Sequence, residues 1–175
     1  MDSADLRAAF RSSSKVLAGA GVVLVFTVPM VRVYINSDVN GADLLSMPLA
    51  MAEFVAGGVG SVWPFFAPMT GALGAFIAGS NTVSNLMFSA FQFGVAERLA
   101  MSTVMIVALQ AVGAAAGNMI AVHNVVAASA TVGLLGKEGS TLRKTILPTV
   151  YYLLVVGVLG LIAVHVIGVT DPLMG

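Results

Sequence analysis

The residues best equipped for chemistry lie together in Gly79-Ser80-Asn81-Thr82-Val83-Ser84-Asn85, and six of these seven are glycine, hydroxyl or amide. They interrupt an apolar run from Pro64 to Phe93. Uncharged hydrogen-bonding groups at membrane depth are expensive unless they bind something, and backbone leaves the helix inside a bilayer only where protein or a cavity covers it. The heptad therefore reads as the tip of a re-entrant hairpin and as a ligand site. Hydroxyls, amide N–H groups and free backbone amides suit a small carboxylate, which a helix N-terminus also favours.

A second polar group follows at Asn118, His123 and Asn124. Residues 99–135 contain no Asp, Glu, Lys or Arg. As one helix they would extend about 55 Å, too long for a bilayer. A break is expected within Gly113-Ala114-Ala115-Ala116-Gly117-Asn118. His123 is the only titratable side chain between Arg98 and Lys137, which makes it a proton-relay candidate. Two facing broken elements are the pattern of secondary transporters. The same residues have plainer uses. Thr82 and Ser84 can bond the carbonyl four residues back, Asn118 can cap a half-helix, and His123 can be a neutral packing group.

The elements that must hold these groups are those of an all-α integral membrane protein. The chain is 58% hydrophobic and 9% charged, with mean hydropathy +0.99, whereas soluble domains carry about 25% charge. A cytosolic lead-in is expected at 1–15, a transmembrane helix at 16–35 and an interfacial helix at 44–61, with Trp63 at headgroup level. A re-entrant hairpin at 62–96, a broken transmembrane helix at 99–135 and a last transmembrane helix at 145–168 complete the order. The polar start and the long apolar run after it do not read as a cleaved signal peptide. Arg7, Arg11 and Lys15 share one helical face, and Lys137, Arg143 and Lys144 lie in a loop expected at 136–144. The positive-inside rule puts both clusters in the cytoplasm if 44–61 lies flat and 62–96 turns back. The N-terminus is then cytoplasmic and the C-terminus outside. Glu53 and His165 read as interfacial residues.

Equal numbers of acidic and basic residues and the lack of a basic cluster point away from nucleic acid. With no cysteine there is no disulfide or thiolate metal site, and no motif calls for a metal, a cofactor or an enzymatic centre. A non-transporting membrane subunit, packed on a larger partner through small-residue faces, is the competing reading.

The stretch Gly71-Ala72-Leu73-Gly74-Ala75-Phe76-Ile77-Ala78 leading into the heptad resembles the signature of bacterial L-lactate permeases. So do Phe91-Gln92-Phe93-Gly94-Val95-Ala96 and Ala108-Leu109-Gln110-Ala111-Val112-Gly113. The segment from Ala116-Gly117-Asn118-Met119-Ile120-Ala121-Val122 to His123-Asn124-Val125-Val126-Ala127-Ala128 is similar too. The likeness covers roughly residues 7–165. It implies proton symport of L-lactate, or of glycolate or D-lactate, across the bacterial inner membrane by alternating access, with no cofactor beyond the coupling proton. It also implies membership of the ion-transporter superfamily, whose members bind carboxylates between two hairpins. Such permeases are about three times this length and carry two inverted repeats. This chain resembles the C-terminal repeat, so the implied partners are an N-terminal half or a second copy, besides the lipid bilayer. Carried onto this chain, Ser80, Asn81, Thr82, Ser84, Asn85, Asn118 and Asn124 would line the substrate site, with His123 beside them.

Overall fold

Helix is the regular structure throughout the described residues, as backbone without water to satisfy it requires. The fold is taken from a computed structural model that describes residues 3–171. Side chains at 3–5, 15, 16, 19, 20, 23 and 24 are outside the description, so the expected lead-in at 1–15, including the Lys15 side chain, is covered only in part.

In order the helices are α1 (Ser3–Ile35), α2 (Met47–Val59), α3 (Trp63–Ala78), α4 (Asn81–Arg98), α5 (Thr103–Gly117), α6 (Val122–Thr131) and α7 (Glu138–Ile162). A 3-10 turn, Gly60–Val62, joins α2 to α3, and a π-helical turn, Ala163–Ile167, extends α7. Helices α3, α4 and α5 pack together at the centre. Helix α7 lies across α3 and α5, α2 rests on α4, and α6 leans on α7.

Packing is inverted relative to a water-soluble domain. The interior holds Ala52, Ala67, Ala72, Ala75, Ser84, Gln92, Ala96, Gln110 and Ala114, while Phe54, Leu147 and Tyr151 are 83%, 75% and 70% exposed. Small residues inside and large apolar ones outside suit a lipid solvent, where association depends on close packing rather than on burying hydrocarbon. By length and composition, Met47–Ala78 and Glu138–Ile167 are each sufficient to cross a bilayer, and the bent pair α5–α6 makes a third candidate.

Glycine sets the closest approach, that of α3 to α5. A Cβ on Gly113 would collide with the Pro68 carbonyl oxygen, one on Gly117 with that of Ala72, and one on Gly71 with that of Gln110. The four-residue spacing of Gly113 and Gly117 puts both on one face.

Several expectations need correcting here. The hairpin tip is two residues, Gly79 and Ser80, because Ser80 caps α4 and the amide and hydroxyl residues after it form helical turns. The break after α5 falls beyond Gly117: Gly113 and Gly117 serve contact with α3, so the helix continues through both. Helix α7 begins at Glu138, inside the expected 136–144 loop. Residues 47–78 run as nearly continuous helix, interrupted at Gly60, whose φ of 58° and ψ of −137° lie outside α-helical backbone. Trp63 is 5% exposed, its ring perpendicular to that of Phe91 with centroids 5.5 Å apart, and so is a core residue.

The two kinds of glycine should separate on substitution. Gly113→Ala should cost about 1–3 kcal/mol through overpacking against α3. Gly57→Ala, whose Cβ meets nothing within 4 Å, should be neutral or mildly stabilising. Thermal unfolding in detergent tests this; equal midpoints for both variants would remove the close-approach role.

Candidate functional site

Gly79 ends α3 in the left-handed conformation (φ 64°, ψ 18°), and its N–H donates to Ala75 O at 2.6 Å. Ser80 is extended, and its Oγ accepts from the Val83 N–H at 3.3 Å. The chain thus reverses in two residues, and the Gly79 carbonyl, past the end of the α3 ladder, needs donors from elsewhere.

Those donors come from the break 40-odd residues later. His123 Nε2 lies 2.9 Å from Gly79 O, and Asn124 Nδ2 lies 3.4 Å from it. Asn124 Nδ2 also approaches Asn118 O at 3.3 Å and Asn118 Oδ1 at 3.4 Å. Asn118 closes α5, and α6 starts after it at a bend of 49°. One amide nitrogen with two hydrogens therefore serves three acceptors, joining both sides of the break to the hairpin apex. A carbonyl only accepts, so His123 carries a hydrogen on Nε2; in the neutral ring Nδ1 is then free to accept. The contact leaves no room at the apex, since a Cβ on Gly79 would collide with the His123 ring.

Two helix N-termini meet at this junction. Helix α4 starts beside Gly79, and α6 starts at Val122, where the N-cap residue Ala121 offers no side-chain cap. Each directs the positive end of its dipole and its first-turn N–H groups, apart from the Val83 N–H taken by Ser80 Oγ, to this region, a setting that favours an anion.

The sequence-derived residues divide within this geometry. Ser80, Asn81, Asn118, His123 and Asn124 gather at or beside the junction, and Thr82 is exposed on the first turn of α4. Asn85 Nδ2 donates to Asn81 Oδ1 at 3.1 Å, while the buried Asn85 Oδ1 has no partner. Ser84 departs from the group. It is fully buried, donates from Oγ to Gly71 O at 2.8 Å and accepts from Gln110 Nε2 at 3.1 Å, so it holds α4 to α3 and α5.

Two residues with no assigned role emerge behind the junction. Gln92 and Gln110, both fully buried, are bonded through Gln92 Nε2 and Gln110 Oε1 at 3.0 Å. Gln92 also donates to Ala67 O at 3.1 Å and accepts from Trp63 Nε1 at 2.8 Å. A long amide inside an apolar run is the signal that marks them. At the other end of α3, His165 Nε2 lies 2.6 Å from Ser61 O, so this residue ties the π-helical turn to the α2–α3 turn.

The profile of the family described as L-lactate permease matches residues 1–167. The chain is 31% identical to an L-lactate permease of Escherichia coli (strain K12) over 167 residues, covering 95% of this chain and 29% of that protein. It is 35% identical to an L-lactate permease of Bacillus subtilis (strain 168) over 133 residues, 76% of this chain and 22% of the other. A glycolate permease of Escherichia coli (strain K12) is 33% identical over 112 residues, 64% of this chain and 20% of that one. The chain thus spans less than a third of the length of these relatives. No solved structure matches it.

The apex contact can be weighed with a double-mutant cycle. Gly79→Ala should destabilise through its left-handed backbone and the collision with His123, and His123→Ala should relieve the collision. The two changes should be non-additive by about 0.5–3 kcal/mol in detergent thermal unfolding. Strict additivity would mean the ring does not sit against Gly79.

Proposed function

Because the chain belongs to the L-lactate permease family, we propose that it forms the C-terminal part of a carrier for L-lactate or a related small 2-hydroxycarboxylate. The observation that carries this reading is the junction at Gly79, where a hairpin apex and a broken helix meet with two helix N-termini and a set of uncharged donors. A small monoanion suits such a place, because dipoles and N–H groups balance one charge without a buried Arg or Lys. Relatives named for L-lactate and for glycolate, both 2-hydroxy acids, support the substrate class.

Ser80, Asn81, Thr82 and Asn85 on the hairpin, with Asn118 and Asn124 on the break, are the proposed substrate contacts. Asn85 Oδ1, an acceptor without a donor, is suited to a substrate hydroxyl. His123 is the proposed proton relay: with Nε2–H on Gly79 O, its Nδ1 gains and loses a proton without disturbing the apex bond. Transport by alternating access would expose this junction to each side in turn. The chain sits in a bacterial inner membrane in this reading, with Arg7, Arg11 and Lys15 and the cluster at Lys137, Arg143 and Lys144 facing the cytoplasm. The C-terminus then lies outside. An N-terminal portion like that of its longer relatives, or a second copy, would face the junction and complete the site.

Uptake of radiolabelled L-lactate by cells without their own lactate carriers tests the proposal. The chain is expressed alone and with the N-terminal portion of an L-lactate permease relative. Uptake in either arrangement, lost on Asn81→Ala with membrane insertion unchanged, is the expected result. Unchanged uptake in Asn81→Ala removes the assignment of the apex, and no uptake in either arrangement, despite insertion, supports a non-transporting subunit instead.

The relay has its own test. His123→Gln retains a donor for Gly79 O but no titratable nitrogen, so lactate flux should persist as facilitated diffusion while pH-driven accumulation disappears. Accumulation at the wild-type level would leave His123 a structural clamp.

A further inference from the structure

The buried amides behind the junction form a chain with one direction. Trp63 Nε1 can only donate, which turns Gln92 Oε1 toward the indole and Gln92 Nε2 toward Ala67 O and Gln110 Oε1. Gln110 Nε2 then faces Ser84, 3.5 Å from its carbonyl oxygen and 3.1 Å from its Oγ. The Ser84 hydroxyl, having accepted there, donates to Gly71 O. One end of this chain is a donor-only group and the other an acceptor-only group. No amide can flip without bringing two donors or two acceptors face to face.

We infer that Gln110, oriented by Gln92 and Trp63, is a positioning residue for the candidate site, fixing the rotation of α4 about its own axis by holding Ser84. The inference rests on the reading of the Gly79 junction as a substrate site. Ser84 lies on the same two turns of α4 as Asn81 and Asn85, which sit about 60° and 100° around the helix from it. Whatever locks Ser84 against α3 and α5 therefore also sets where those two amides face. Farther along α4, Phe91, Val95 and Ala96 are held by packing with Trp63, Ala67, Ile106 and Leu109. Around Ser84 the facing residues of α3 are small, Gly71, Gly74 and Ala75, so packing constrains this end of α4 less. A directional bond to one hydroxyl and one carbonyl supplies a rotational constraint there. Two leucines would fill similar space but fix no angle.

The chain contains no cysteine, so Thr82→Cys places a single thiol at an exposed position beside Asn81. The experiment measures its rate of N-ethylmaleimide labelling in membranes containing the chain, with and without Gln110→Leu and with the pair Gln92→Leu/Gln110→Leu. The pair is made together with Trp63→Phe, because two leucines would otherwise strand the indole N–H; with no side-chain donor of the network left unmatched, it should regain membrane abundance and thermal resistance. The labelling rate should nevertheless stay several-fold different from that of the parent. In the uptake assay, without the thiol, the paired variant should show a half-saturating L-lactate concentration raised by about tenfold, the equivalent of one amide hydrogen bond, with little change in maximal rate.

An unchanged labelling rate in the paired variant overturns the inference, as does a pair that regains stability and lactate affinity together. If Gln110→Leu does not accumulate, the pair carries the comparison. Altered labelling in a chain that moves no lactate sustains the positioning role while removing the transport reading, so the two can fail separately.

Discussion

The hydrogen bond between Gln92 and Gln110 is the constraint on which the interior depends. In water an unpaired glutamine amide is solvated, but within packed helices in a bilayer each unmatched donor or acceptor costs about 1–3 kcal/mol. Gln92 commits both of its N–H groups and its oxygen, and Gln110 commits its oxygen and directs its nitrogen at Ser84. Three helices, α3, α4 and α5, are tied by this network. None of them can shift along or around another without leaving several groups unmatched. The network thereby adds a directional register to the one set by the apolar cluster of Trp63, Phe91, Val95, Ile106 and Leu109.

Close approach makes the network possible. Side-chain amides bridge helices only when the backbones are near, and here Gly71, Gly113 and Gly117 let the carbonyls of α3 and α5 pass almost in contact. The same requirement explains the exposed exterior. With glycine, alanine, serine and glutamine taking much of the interior beside Trp63, Phe91, Ile106 and Leu109, many leucines, phenylalanines and valines are left for the outside, where lipid accepts them. The inverted distribution and the buried polar chain are two consequences of one solvent.

Much of this architecture is legible in the sequence. Membrane character follows from composition, the hairpin from the polar heptad inside an apolar run, and the need for a break from an uncharged stretch too long for one span. Local detail is harder to read. Ser80 as a cap and Ser84 as an interior tether are both serines in one motif, and only the helical phase, set by where α4 begins, separates them. Gly113 looks like a helix breaker until its partner, Pro68 O, is known. Trp63 carries the composition of an interface anchor, and its burial depends on Gln92, 29 residues away. Each misreading comes from a contact distant in sequence, which periodicity and propensity do not contain.

The two histidines show how tertiary context assigns a role. Both use Nε2 to meet a backbone carbonyl beside an end of α3, His165 at Ser61 and His123 at Gly79. Each carbonyl lies where helical hydrogen bonding is interrupted, so each needs a donor from another element. Their surroundings differ. His165 ends a helix, and its neighbours in sequence, Val164 and Val166, are apolar. His123 sits in the first turn of α6, with Asn124 and Asn118 beside it and the hairpin apex at Gly79 across the contact. Protonating either ring preserves its existing bond, since Nε2 already donates. The added charge matters only where it meets a partner. Under the proposed reading of the junction as a carboxylate site, a charge at His123 would face the bound anion, so proton and anion would each favour the other there. Reciprocal coupling of this kind requires nothing more than two ligands of opposite sign at one junction, which is what the proposed assignment of the hairpin apex would supply.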